Sequence, residues 1–132
     1  MRAVRDACHI AIPTHDLAAA VEFYVDGLGV KLARRYGDRV TFDFFGDQLV
    51  CHLDENVPAF PVAYPRHFGV TFADREDFER LMRVVELRKL SVLAGPETRF
   101  EGTAEEHRQI FLVDPSNNVL EFKWYLDPRL MY

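Results

Sequence analysis

The sequence predicts an α+β fold built from two tandem β-α-β-β-β modules. Three observations lead there. Short apolar runs of period two alternate with a longer run of period 3.6. The order strand, helix, three strands occurs twice along the 132 residues. The two copies carry histidine or glutamate at matching places, as an internal repeat would.

In the first copy, residues 9–13 (HIAIP) suit a strand that ends at a proline. Asp16 then offers a carboxylate to cap a helix starting near Leu17. Leu17, Ala20, Val21 and Tyr24 recur at helical spacing, and Phe23 and Leu28 widen that face. Gly27 and Gly29 end it. Strands follow at 30–35, 40–45 and 48–53, separated by the turn formers Gly37-Asp38 and Gly46-Asp47. Residues 54–66 contain Pro58, Pro61 and Pro65 and read as an extended connection. In the second copy, 67–72 is a strand. Asp74 is placed to cap a helix carrying Phe78, Leu81, Met82, Val85 and Leu87. Residues 91–94 form a short strand and 96–106 a polar stretch. Strands at 109–113 and 118–125 are joined by the turn Asp114-Pro115-Ser116-Asn117. The expected division is module 1 over about 5–55, a linker over 56–65 and module 2 over about 66–126.

Matching HIAIP with HFGVT sets an offset of 58, from His9 to His67. Matching GDQLVCHL with PSNNVLEF sets 69, from His52 to Glu121. The difference of 11 predicts an insertion in the second copy, within 96–106.

Composition narrows the function. Sixteen basic against twenty-one acidic residues leave a net charge of −5, which argues against nucleic acid as the main partner. The chain holds no apolar run near the ~20 residues that a membrane span needs. Charges interrupt the start (MRAVRDACHIAIP) where a signal peptide needs its apolar core, so a cytoplasmic protein is expected. Two cysteines, Cys8 and Cys51, make neither a disulfide framework nor a CxxC zinc motif and read as small core residues. His15 reads as a surface residue.

Side chains alternate between the faces of a strand. One face is apolar in both copies and should carry the helices. The other holds His9, His52, His67 and Glu121, with Ala11 and Gly69 leaving room beside them. Four such groups at repeat-related places point to a metal, because a buried histidine or glutamate is costly unless paired or bound. Imidazole with carboxylate suits Fe(II), Zn(II), Ni(II), Mn(II) or Co(II) better than Ca or Mg, and two His with one carboxylate suits non-haem Fe(II). Thr41 and Asp43 alternate with Phe42 and Phe44 and are candidates for substrate contact. Arg99 and His107, with Glu106, lie in or beside the inserted stretch and are candidates for a substrate loop.

The pattern resembles the vicinal oxygen chelate superfamily, which includes glyoxalase I, extradiol dioxygenases, methylmalonyl-CoA epimerase and the fosfomycin and bleomycin resistance proteins. The matching residues are His9 in HIAIP, then DLAAAVEFY and GLGV, His67 in HFGVTF, and DPSNNVLEF ending in Glu121. Segments such as FDFFGDQLVCHL look closest to small proteins predicted to be extradiol dioxygenases. The resemblance implies one domain over 1–132, with curved mixed sheets forming a cleft around a metal held by His9, His67 and Glu121. His52 stands where glyoxalase I and the epimerase place a Glu or Gln ligand, so it is a fourth ligand or an acid/base. The expected activity is metal-dependent, with Fe(II) and a catechol-type substrate favoured. Isomerase, epimerase or lyase chemistry through an enediolate is the alternative, and non-enzymatic drug binding the next. Related modules pair, so a homodimer is expected.

Overall fold

The computed structural model describes residues 1–132. In the first module β1 (His9–Thr14) leads into α1 (Leu17–Val21), which continues as a π-helix (Glu22–Gly27). Strands β2 (Lys31–Arg35), β3 (Arg39–Phe44) and β4 (Asp47–Leu53) follow. The second module runs β5 (Phe68–Phe72), α2 (Arg75–Leu87), β6 (Val92–Arg99), β7 (His107–Val113) and β8 (Val119–Tyr125), and a 3-10 turn (Pro128–Met131) ends the chain. No helix is long and apolar enough to cross a membrane.

Each module makes its own four-stranded sheet, ordered β1-β4-β3-β2 and β5-β8-β7-β6. The first strand of each pairs parallel with the last, and the remaining pairs are antiparallel. A parallel pair needs a crossover, which the helix supplies. The α+β, two-module expectation therefore holds.

The ladders correct the repeat arithmetic. Ala11 faces Val50, and Gly69, 58 positions after Ala11, faces Glu121, which lies 71 positions after Val50. The structural counterpart of Glu121 is thus Val50, and that of His52 is Lys123. The surplus in the second copy is 13 residues, from 58 to 71, instead of 11. Most of it lies in one hairpin: the bulge between Leu32 and Arg34 recurs between Val92 and Ala94, but Leu32 pairs with Phe42 while Val92 pairs with Leu112. The sequence separation of the paired positions thus grows from 10 to 20. Residues 96–99, expected in a loop, belong to the lengthened β6.

Local chemistry explains the helices. The Asp16 carboxylate accepts from the Ala18 and Ala19 N–H groups, as expected. Asp74 occupies the same position before α2, but its side chain makes no capping hydrogen bond. The first helix is not α-helical throughout. Its second half widens into π turns, with consecutive residues Phe23 and Tyr24 both buried.

A core of 17 buried residues draws on both modules. Phe42, Phe44, Leu49 and Cys51 come from the first sheet, and Ile110, Leu112, Leu120 and Phe122 from the second. Tyr24, Phe78, Leu81 and Val85 come from the helices. Phe44 reaches across to Phe68 and Phe122, with ring centroids 5.6 and 6.3 Å apart. At about 25 cal/mol per Å², each such ring contributes ~2 kcal/mol by leaving water. The apolar faces thus carry the helices, and the polar faces lie on the far side of each sheet from this core.

Polar bonds join the modules where the core ends. Asp114 is 4% exposed, and its carboxylate accepts four hydrogen bonds. Its Oδ2 takes the Tyr24 hydroxyl and the Asn118 Nδ2–H, both at 2.8 Å. Its Oδ1 takes the backbone N–H groups of Ser116 (2.8 Å) and Asn118 (2.9 Å). Asn118 Nδ2 also donates to the Pro13 carbonyl at 2.9 Å, and the Thr14 and Ser116 hydroxyls meet at 3.1 Å. His15 is exposed as expected, but its N–H and Nδ1 both engage Ser116. Burial, and then the Asp114 charge, raise the Tyr24 phenol well above its ordinary range. The same causes push the Cys51 thiol to about 12.

Tyr24→Phe should lower the unfolding free energy in urea by about 1.5–3 kcal/mol, the value of a hydrogen bond to a charged group. An unchanged midpoint would show that the bond contributes nothing. Cys51 sets a pH dependence. Its folded pKa lies above its unfolded one, so its contribution is complete below about pH 9 and is lost as pH rises toward 12. Stability should fall by roughly 1 kcal/mol between pH 9 and 10 through this thiol, and Cys51→Ala should remove most of the slope there, leaving the smaller part that Tyr24 sets.

Candidate functional site

The polar face of the second sheet holds the tightest constellation. His67 lies one residue before β5, and its Nδ1–H donates to the Ala63 carbonyl at 2.6 Å. That bond turns Nε2 toward Glu121 Oε2, 3.1 Å away. Glu121 sits in the middle of β8 and is 9% exposed. A carboxylate oxygen and a bare imidazole nitrogen are both acceptors, so a proton or a cation must lie between them. At 3.1 Å the two atoms are close enough for one cation to be held by both. An imidazole whose other N–H is held by a carbonyl is also the usual form of a metal-binding histidine. The donor set therefore fits a divalent metal. Phe111 and Tyr64 stand edge-on to the His67 ring, at 5.6 and 5.5 Å.

His9 occupies the related place in the first module. It is exposed, and its Nδ1–H donates to Gln48 Oε1 on the adjoining strand at 2.6 Å. Nε2 then has no hydrogen-bond partner within the chain. The structure does not bring His9 together with His67 and Glu121: no group of three His, Cys, Asp or Glu forms within one chain. The physical reason is the packing of the modules through their apolar faces, which leaves each polar face on its own side.

His52 is exposed near the end of β4 and makes no side-chain hydrogen bond. Its register places it one pleat beyond Val50, the true counterpart of Glu121. The four candidates for substrate contact separate. Thr41 is 3% exposed, and its hydroxyl has no partner. Asp43 is committed to the β3–β4 turn, where its Oδ1 accepts the Gly46 N–H at 2.8 Å. Arg99 is exposed, its guanidinium 5.5 Å from the Phe100 ring. His107 is 8% exposed on the same face as Glu121. Its Nδ1 bonds the Glu105 carbonyl at 2.9 Å and its Nε2 lies 3.2 Å from Gln109 Oε1. Gln109 Nε2 donates to Glu97 at 2.8 Å. Glu106 closes the hairpin by accepting the Gly102 N–H.

Sequence reasoning missed Gln48, Gln109, Glu97 and Lys123. Lys123 Nζ lies 3.4 Å from Glu121 Oε2, the oxygen that faces His67. The two-residue alternation after Glu121 was the signal for it. Gly69 also has a different role from the one expected. A Cβ there would stand 1.7 Å from the Glu121 carbonyl oxygen, so Gly69 lets two backbones approach and does not make ligand space. Beside His67 runs a groove of about 780 Å³ under the proline-rich connection. Ile10, Ile12, Phe60, Val62 and Tyr64 line it.

Gly69→Ala should therefore separate β5 from β8 and lower stability by about 1–3 kcal/mol, the usual cost of overpacking. Ala11→Gly should change thermal stability much less. Equal melting temperatures for Gly69→Ala and the parent would refute the close approach.

Comparisons with known proteins agree with this fold. The model of the Glyoxalase/Bleomycin resistance protein/Dioxygenase superfamily matches residues 8–122. A crystal structure of a glyoxalase/bleomycin resistance protein/dioxygenase from Alicyclobacillus acidocaldarius is 53% identical, with 100% of both chains covered and a TM-score of 0.96. The metallothiol transferase FosB of Staphylococcus haemolyticus is 25% identical over 126 residues, 94% of this chain and 87% of FosB. The fosfomycin resistance protein FosX from Listeria monocytogenes shares the fold, with a TM-score of 0.72 at 15% identity, covering 95% of this chain and 98% of FosX. The chain belongs to the glyoxalase/bleomycin resistance protein/dioxygenase superfamily.

Proposed function

We propose that this protein is a metal-dependent enzyme acting on a small molecule through two neighbouring oxygens. His67 and Glu121 of one copy would hold the cation, and His9 of a second copy would complete the set. The observation that carries this reading is the His67–Glu121 pair, 3.1 Å apart with the ring orientation held by Ala63. Two features support a homodimer. His9 is presented outward without its expected co-ligands. The His67–Glu121 pair in turn supplies two donors, where a catalytic transition-metal site takes about three from protein. A two-fold axis would bring each His9 to the other copy's pair and so make two equal sites.

When bound, the cation acts as a Lewis acid and stabilises negative charge on the substrate oxygens. The chain's own residues do the rest. Ala63 and Gln48 orient the two imidazoles. Phe111, 4% exposed and paired in register with Glu121, keeps water from the carboxylate. His52, exposed near the end of β4, is free of side-chain partners and would serve as an acid or base. The aromatic rings around His67 support a planar, catechol-type substrate, with Fe(II) as the metal and extradiol cleavage as the reaction. The likeness to FosB supports a second reading, metal-dependent group transfer to a small polar molecule.

Anaerobic purification with elemental analysis should find a stoichiometric transition metal that His67→Ala and Glu121→Ala lose. Iron, with oxygen uptake on catechols, supports the dioxygenase reading; nickel or zinc without uptake removes it. Subunit mixing tests the shared site. His9→Ala and Glu121→Ala proteins, dissociated and reassociated in equal amounts, should regain about a quarter of the parental metal content, because half the dimers then carry one intact site. No recovery would refute a site built across two copies.

A further inference from the structure

Lys123 is the one cation at ion-pairing distance from the His67–Glu121 pair, and nothing in the metal reading requires it. Its Nζ lies 3.4 Å from Glu121 Oε2, long for an ion pair, and its side chain is 27% exposed. No other carboxylate holds it. Its neighbour Gln109 is already committed, with the amide nitrogen on Glu97 and the amide oxygen on His107. Tyr125 forms the wall beside it, with the ring centre 5.7 Å from Nζ.

A cation on the Glu121 carboxylate would leave this ammonium beside a second positive centre with no counter-charge. An anionic ligand spanning both resolves the repulsion. The register adds a second line of support, because Lys123 is the repeat counterpart of His52. Both modules thus place a nitrogen base one pleat beyond the row that holds Glu121. We infer that Lys123 is a substrate-binding residue that selects ligands whose chelating oxygens are ionised, such as catecholates or 2-oxy carboxylates. This rests on the metal reading above.

The test uses Mn(II) and oxalate, a small dianion with adjacent oxygens, on the full chain. Mn(II) affinity is followed by the resonance of the free ion, and oxalate binding to the Mn(II)-loaded protein by calorimetry. Lys123→Met should bind Mn(II) roughly three- to tenfold more tightly, because a like charge is gone. It should bind oxalate about tenfold more weakly, the value of one charge-assisted hydrogen bond. Lys123→Arg should retain oxalate binding, and the opposite shifts of the Mn(II) and oxalate affinities in Lys123→Met are what a purely structural role would not produce. Unchanged oxalate affinity in Lys123→Met, with Mn(II) still bound, overturns this inference alone. No Mn(II) binding by the parent protein overturns the metal reading and this inference with it.

Discussion

The buried Asp114 carboxylate is the constraint on which the two-module arrangement depends. Each sheet satisfies its own backbone, so nothing in the ladders fixes one module against the other. The shared core attracts them, but apolar packing has little directional preference. Asp114 supplies direction. Two of its bonds shape the turn before β8, and a third reaches Tyr24 on the other module. A charge this deep is tolerated because four donors surround it. The same turn sends Asn118 to Pro13 and Ser116 to Thr14, at the end of β1. The strand that begins with His9 and the strand that carries Glu121 are therefore referenced to one turn.

Much of this was legible in the sequence because it is local. Period-two alternation located the strands, and it separated the apolar face from the face bearing His67 and Glu121. Asp16 marked the first helix start. The repeat was legible too, but its register was not. Matching GDQLVCHL to PSNNVLEF ignored the longer turn between Val113 and Val119, and so placed His52 opposite Glu121 when Lys123 is its counterpart. The π-helix was invisible because Phe23 and Tyr24 fit a broad apolar stripe in either winding. Asp43 looked like a cleft residue by alternation alone, yet a nearby backbone N–H claims its carboxylate.

The separation of His9 from His67 and Glu121 belongs to a different level. It depends on how two complete modules pack, and a strand pattern carries no information about that. Gly69 is the same case on a smaller scale. Its lack of a side chain reads as empty space in one dimension and as a backbone contact in three.

The parallel outer strands have a kinetic consequence. β1 cannot be paired until β4 exists, 39 residues later at the His9–Gln48 register. β5 waits in the same way for β8, from Phe68 to Leu120. The hairpins between need only short loops, so they close first and the outer strands close last. His9 and His67 both belong to those late segments. A chain emerging from the ribosome thus holds its antiparallel hairpins before the outer strands, and with them both imidazoles, are in place.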